Sequence, residues 1–514
     1  MSTISNPVVR GVAPDPSVCR VGGDYYLATS TFDFLPGVRI HHSTDLVNWR
    51  LLGGAVTRPA QYRRDGRPGD VMLFAPTLRH HEGRFYLACT NVADEQGNFV
   101  LTTDDPAGEW SDAAWVDRQA FDPSLLFADG TCYYTRRTLE PLPDGRLGPV
   151  VQCEIDPATG EALGPMRELT PGYAGFSSND IEGPHLYKIG DWYYLFSAEG
   201  GSWKGHMQTC GRSRSPWGPF EPCPDNPVIT HRHRVGHPIQ TLGHADLVDA
   251  PDGSWWAVML GTRHLARGGF VYHHNLGRET FLAPVEWRDG WPVVGAGGTI
   301  ELHMETPGPL PSYAGSTVAR PDTIWAAGWS TQGLPAEGLA GDAVSGAFTL
   351  PFGLPLDAED RSVGVGAVFL PQQEDDAELT VVLAAAPGAP AEAGVAVHSS
   401  PRHHYTLTVA AGPDGARAAT LRRTVDDMVT EQSVVLPGTA PVRLRIEASE
   451  QRYVFFAANG DEPYLNVGTG AARLLSAETA EAFVGCQFAL VAAGDPAQPA
   501  AAFTEVRAVW GGLA

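Results

Sequence analysis

Seven cysteines are spread through the 514-residue chain (Cys19, Cys89, Cys132, Cys153, Cys210, Cys223 and Cys486), and no two of them form a CxxC pair. An odd count without that spacing argues against both a disulfide framework and a zinc ribbon. No apolar run is long enough to span a bilayer. The opening residues, MSTISNP, lack the basic region and apolar stretch of a signal peptide. A reducing, cytoplasmic location is therefore expected. Positive charge is scarce, with 36 Lys and Arg against 59 Asp and Glu, a formal net charge of −23. Such a surface repels nucleic acid and anionic membranes and disfavours polyanionic substrates. A neutral small molecule or a neutral polymer suits it better, and a homo-oligomer is compatible with it. Long helical periodicity is missing as well, which leaves strands as the building material.

Glycine (58) and proline (42) are plentiful and recur as short clusters between apolar runs, the signature of many short strands joined by turns. Five segments share one template: DPSVCRVGGDYYL from Asp15, APTLRHHEGRFYL from Ala75, DPSLLFADGTCYY from Asp122, EGPHLYKIGDWYY from Glu182 and ADLVDAPDGSWWA from Ala245. In each, a glycine stands eight residues after the first position (Gly23, Gly83, Gly130, Gly190, Gly253) and an aromatic eleven after it (Tyr26, Tyr86, Tyr133, Tyr193, Trp256). The starting points lie 60, 47, 60 and 63 residues apart. Each template reads as a hairpin, an apolar strand turning at glycine into an aromatic strand. One such unit cannot cover its own apolar faces, and radial stacking of five solves this as a five-bladed β-propeller.

Equivalent template positions occupy equivalent places in each blade. The first position reads Asp15, Ala75, Asp122, Glu182, Ala245, so three carboxyls converge on one axial cavity if that position lies innermost. Taken singly, each acid is more often structural, and a lone Asp-Pro-Ser is usually a turn. Burying three like charges in one register is costly and calls for a purpose. Paired carboxyls at a polar, sugar-sized cavity are the equipment of glycoside hydrolysis: one protonated to supply the leaving oxygen, one ionised as base or nucleophile.

The template ends near residue 300. Residues 1–304 are therefore assigned to the propeller. Residues 305–344, opening with the Pro- and Gly-rich ETPGPLPSYAG, are a linker and a segment hard to place. Residues 345–514 alternate apolar and polar positions in LTVVLAA from Leu379, YTLTVAA from Tyr405, VRLRIEA from Val442, YVFFAA from Tyr453 and FALVAA from Phe488. Turns at Pro413-Asp-Gly and Asn459-Gly separate them, and the pattern predicts a jelly-roll-like β-sandwich.

The ordered stretches NPVVRGVAPDPSVCRVGGDYYLATSTFDFLPGVRIHHSTDLVNW, APTLRHHEGRFYLACTNV, FDPSLLF, DIEGPHLYKIGDWYYLFSAEGG, GHADLV and LGRETFLAPVEWRDGWP cover nearly all of residues 6–294. They resemble glycoside hydrolase family 43, in its β-xylosidase and α-L-arabinofuranosidase branch. AGVAVHSSPRHHYTLTV, from Ala393, resembles that family's sandwich domain. The resemblance implies the same five-bladed propeller. It also implies an inverting exo-glycosidase that releases xylose from the ends of β-1,4-xylo-oligosaccharides, or arabinose from arabinoxylan fragments. A non-catalytic sugar-binding propeller is the remoter alternative, and the presence of all three acids disfavours it. By motif, Asp15 resembles the general base that activates water, Glu182 the general acid and Asp122 the residue that tunes and orients the acid. Inversion places acid and base carboxyls about 6.5–9.5 Å apart. Arg263 resembles an arginine that bonds sugar hydroxyls, and Phe32 an aromatic wall of the pocket. Phe74, where many xylosidase relatives carry Trp, flanks the leaving-group site. His244 resembles a histidine near the axis that helps to hold a structural calcium. No cofactor is required for the chemistry itself. The packing alternatives are that Arg263 pairs with an acid, Phe32 is core and His244 is a satisfied structural histidine.

Overall fold

The computed structural model describes all residues except 1, 142, 144, 146, 174–179, 268–270, 307, 309, 314, 316, 317, 319–321, 359–363 and 512–514. The chain divides into two compact units. One comprises Met1–Val9, Ala13–His264 and Glu279–Pro321. The other comprises Arg10–Val12, Leu265–Arg278 and Asp322–Ala514.

In the first unit every template becomes the first two strands of a four-stranded antiparallel sheet. The five first strands are Ser17–Val21, Leu73–His81, Ser124–Ala128, Ile181–Ile189 and Ile239–Asp249. Each pairs with an aromatic-bearing second strand: Asp24–Thr29, Arg84–Asn91, Thr131–Arg137, Trp192–Glu199 and Trp255–Arg263. Turn chemistry explains the hairpins, because the turn glycines sit at positive φ, where a side chain is strained. In the first hairpin the left-handed residue is Gly22 (φ 62°) rather than Gly23. Each first strand is an edge of its own sheet and neighbours the first strand of the next. The fifth neighbours the first, so the ring closes. This is the propeller architecture.

Two devices hold the ring shut. Thr3–Ser5 pairs antiparallel with His303–Glu305, and the Asn6 side chain bonds the backbone of Leu282 through both its amide groups, at 3.0 and 2.9 Å. At the centre, fully buried Asp246 accepts from Arg79 (2.8 and 3.1 Å), Ser17 Oγ (2.6 Å), the Val18 N–H (3.0 Å) and the Tyr187 hydroxyl. Four of the five first strands thus meet on one carboxylate. Burial alone would raise Asp246, but Arg79 and its other donors outweigh burial and hold it well below the usual carboxylate range. Burial pushes neighbouring His185 down to about 3. The neutral ring accepts from Arg79 Nη2 at 3.1 Å. The proline-rich run after residue 304 stays with this unit. The Tyr313 N–H bonds Thr44 O, and its hydroxyl accepts from the Asp252 N–H. Pro307, Pro309 and Ala314 of that run lie outside the described residues.

The second unit is a sandwich of a seven-stranded and a six-stranded antiparallel sheet. The alternating segments become Ala377–Leu383, His403–Ala411, Val442–Ala448, Arg452–Asn459 and Gln487–Ala493. Leu379, Val381, Leu407, Val409, Leu444, Ile446, Phe455, Phe488 and Leu490 fill the space between the sheets, as the period of two requires. Among the described residues, helix is confined to single turns such as Ala477–Ala480, and no helix is long and apolar enough to cross a membrane.

Candidate active site

Every first strand carries the same kink, just ahead of the strand in the first and third sheets and within it in the other three. The residue at the kink is left-handed: Asp15 (φ 52°), Ala75 (38°), Asp122 (59°), Gly183 (54°) and His244 (49°). The ladder slips by one residue between Phe74 and Thr77, between Glu182 and His185, and between Gly243 and Asp246. These are β-bulges, which re-aim side chains at the mouths of rings. Left-handed non-glycine residues cost about 1–3 kcal/mol each and collect at functional sites.

The kink corrects the register read from the sequence. Asp15-Pro-Ser, Ala75-Pro-Thr, Asp122-Pro-Ser, Gly183-Pro-His and His244-Ala-Asp are the structurally equivalent triplets. Glu182 therefore stands one position earlier, level with Phe74 and Phe121, and the fifth template begins at His244 rather than Ala245. The fourth hairpin is one residue shorter to its turn glycine, and this hid the offset. Gly183 supplies the backbone twist that Asp15 and Asp122 supply elsewhere. A Cβ there would lie 2.9 Å from the His244 ring.

The three acids nevertheless share one buried cluster; Asp15 and Asp122 are each 6% exposed and Glu182 8%. Asp15 Oδ2 accepts from Ser30 Oγ at 2.6 Å, and the same hydroxyl oxygen accepts the Ala75 N–H at 2.8 Å. The Ser30 proton is thereby committed to Asp15. Asp122 Oδ2 accepts the Gly183 N–H at 2.8 Å. Glu182 is gripped from both sides, by Arg137 Nη1 on Oε2 and Ser202 Oγ on Oε1, each at 3.1 Å. Burial, joined by the charges of Glu182 and Asp15, pushes Asp122 up to about 7 against the opposing pull of His244 and Arg137. The cluster thus keeps a proton close to neutral pH.

Arg137, Ser202, Ser30 and Asp180 escaped the sequence reading because none stands at the first template position. Arg137 ends a second strand, and its guanidinium also reaches Asp180 Oδ1 at 2.6 Å and lies over the Phe121 ring at 4.5 Å. The one available signal was an arginine pair, Arg136-Arg137, in a strand otherwise destined for burial.

Aromatic rings stand beside the cluster. Phe32, itself left-handed (φ 56°), exchanges backbone bonds with Leu73 and meets Phe74 edge to face at 5.5 Å, and Phe74 meets Phe121 at 6.0 Å. Arg263 ends the second strand of the fifth sheet. Its fork is held by fully buried Glu279, with Nε–Oε2 at 2.7 Å and Nη2–Oε1 at 2.9 Å, and its side chain stays 18% exposed. His244 is buried, with Nδ1 3.9 Å from Asp15 Oδ1 and its ring 6.0 Å from that of His185. Calcium takes six to eight oxygen ligands. Among the described residues, no group of three ligating His, Cys, Asp or Glu side chains includes His244. An ion there would draw most of its ligands from water.

The family model for glycosyl hydrolases family 43 matches residues 4–292, and that for the β-xylosidase C-terminal concanavalin A-like domain matches residues 362–507. A non-reducing end α-L-arabinofuranosidase from Bacteroides ovatus is 38% identical, over 96% of this chain and 92% of its own. A xylosidase/arabinosidase from Butyrivibrio fibrisolvens is 41% identical over 60% of each chain. Among solved structures, the Bacteroides ovatus xyloglucan-locus family 43 protein superposes with a TM-score of 0.85 at 36% identity, covering 99% of this chain and 100% of the other. The xylan β-1,4-xylosidase of Bacillus halodurans does so with 0.83 at 26% identity, covering 98% and 99%. With carboxyls gathered at the mouth of a closed ring of sheets and both domains matched, this chain belongs to glycoside hydrolase family 43.

Proposed function

We propose that the enzyme removes single xylose residues from the ends of β-1,4-xylo-oligosaccharides with inversion, Asp15 acting as general base, Glu182 as general acid and Asp122 as the carboxyl that tunes the acid. One observation carries the reading: Asp15, Asp122 and Glu182, brought from three different sheets, share one buried cluster, with Asp122 bonded to the Gly183 N–H next to Glu182 at 2.8 Å. In the step, Glu182 gives its proton to the glycosidic oxygen as the C–O bond breaks. Water attacks the anomeric carbon from the opposite face and passes its proton to Asp15. The products are a free pentose and a shortened chain. Ser30 fixes the orientation of the base. Phe32, Phe74 and Phe121 offer apolar faces to the sugar C–H groups, and Arg263, anchored by Glu279, offers N–H donors to its hydroxyls.

Arabinose release is the second reading. It is favoured by the similarity, along both domains, to the Bacteroides ovatus α-L-arabinofuranosidase, and by Phe74 at the leaving-group side. The test is hydrolysis of nitrophenyl β-xyloside and nitrophenyl α-L-arabinofuranoside side by side, with the first-formed anomer followed by NMR. Faster xyloside turnover giving α-xylose first is expected. Faster arabinofuranoside turnover would transfer the assignment to the second reading, a retained anomer would overturn the base role of Asp15, and no turnover of either would overturn both readings. A cytoplasmic site of action on short imported oligosaccharides completes the proposal. Export of the full chain into the growth medium would count against it.

A further inference from the structure

We propose that Arg137 and Asp180 form a counterpoised charge pair that positions Glu182 and sets the upper pH limit of turnover. The inference rests on Glu182 being the general acid. Arg137 is 1% exposed and divides its fork between two carboxylates, Nη1 to Glu182 Oε2 at 3.1 Å and Nη2 to Asp180 Oδ1 at 2.6 Å. Its Nε donates to Thr138 O, and the face of its guanidinium is closed by Phe121. With Ser202 on the other oxygen, the Glu182 carboxyl is held at both ends.

A buried cation against a general acid works against the chemistry, because it favours the ionised form of a group that must arrive protonated. An arginine serving stability alone gains little from that place, since buried ion pairs return little net stabilisation. Asp180 makes the arrangement intelligible. Lying just ahead of the strand that carries Glu182, it takes half of the fork and offsets part of the positive charge. Asp122, contributed by another sheet, feels the charges of Glu182, Asp15, His244 and Arg137 together. Arg137 and Asp180 act through Glu182 and are positioning residues.

Opposite displacements follow from the two halves of the pair. Arg137→Leu removes the cation, so the basic limb of the kcat/KM profile should move up by about one pH unit. Asp180→Asn leaves the whole cation to Glu182, so the limb should move down. Arg137→Lys should restore the limb but not the rate, because an ammonium cannot fork to both carboxylates. On an alkyl leaving group kcat should fall about tenfold in Arg137→Leu with KM little changed, since the loss is in aiming the proton. The experiment is the pH profile of the full-length enzyme and these three variants on nitrophenyl and alkyl glycosides. Limbs of Arg137→Leu and Asp180→Asn that coincide with the wild type, or that move in the same direction, overturn the proposal, as does a limb of Arg137→Lys displaced like that of Arg137→Leu. If Arg137→Leu does not fold, Asp180→Asn and Arg137→Lys still decide it. Glu182→Gln, run in parallel, separates the two readings. An equal loss on both leaving groups means that the acid assignment is wrong. A leaving-group-dependent loss with unmoved limbs means that only the charge pair is wrong.

Discussion

Arg79 grips Asp246 with both ends of its fork, at 2.8 and 3.1 Å, across 167 residues of chain. Removing one partner of a buried pair leaves an uncompensated charge, so Arg79→Met should cost about 3–5 kcal/mol. The double replacement Arg79→Met with Asp246→Leu should cost less. The folded carboxylate is held below its unfolded range, so its stabilisation is present above about pH 4 and disappears as the pH falls further. Urea unfolding of the three proteins at pH 7 and pH 2 checks this. A single replacement no worse than the double would show that the pair does not pin the ring.

Asp122 should carry the opposite pH signature. Burial lifts it to about 7 in the folded chain, against about 3.9 unfolded. Between those values the folded state holds a proton that the unfolded state has released, so stability falls as pH rises through this window and the full penalty stands above it. Asn cannot ionise and keeps an oxygen for the Gly183 N–H. Asp122→Asn should therefore be the more stable protein at pH 8, by as much as about 4 kcal/mol, with the gap closing towards pH 4. A melting-temperature difference independent of pH would refute this.

Glu182→Gln and Asp15→Asn should both nearly abolish turnover while differing in their sensitivity to the leaving group. Without the acid, alkyl glycosides suffer far more than nitrophenyl glycosides, because a good leaving group needs little proton donation. Without the base, both suffer alike, and azide should partly rescue Asp15→Ala. The comparison is kcat/KM on two leaving groups for each variant, and near wild-type rates in Asp15→Asn would remove it from the mechanism.

Gly183→Ala is a small change with two expected consequences. The left-handed backbone costs an alanine about 1–2 kcal/mol. The added methyl also meets the His244 ring at 2.9 Å, pressing on the group 3.9 Å from Asp15. Chemical denaturation should show the lost stability, and kcat should fall at least about tenfold through misplacement. Retained kcat with lowered stability would confine Gly183 to a structural role.

The strands and turns were legible because glycine and aromatic residues mark a hairpin locally, and the alternation in the second half marks a sandwich in the same way. Asp15 and Asp122 were legible because they repeat. Glu182 was reached through an alignment one residue out, and the bulge in its strand still brings it into the same buried cluster as Asp15 and Asp122. Arg137 and Ser202 were not legible: one ends a second strand, the other sits in a loop, and only the folded ring brings them to Glu182. His185 and Asp246 show the same limit. Nothing local distinguishes a polar residue on a first strand as an axial anchor, because that role depends on partners contributed by other sheets.

The pairing of Thr3–Ser5 with His303–Glu305 also bears on the order in which the enzyme is made. The strand Thr3–Ser5 leaves the ribosome some three hundred residues ahead of its partner. Until residues 239–294 have followed, the first and fifth sheets cannot meet, and Ser17 and Arg79 wait for Asp246. Sequence-distant contacts of this kind form slowly and leave sheet edges open in the meantime. The nascent chain therefore carries an unclosed ring through most of its synthesis, and truncation anywhere before residue 305 yields a product with exposed edges rather than a smaller working enzyme.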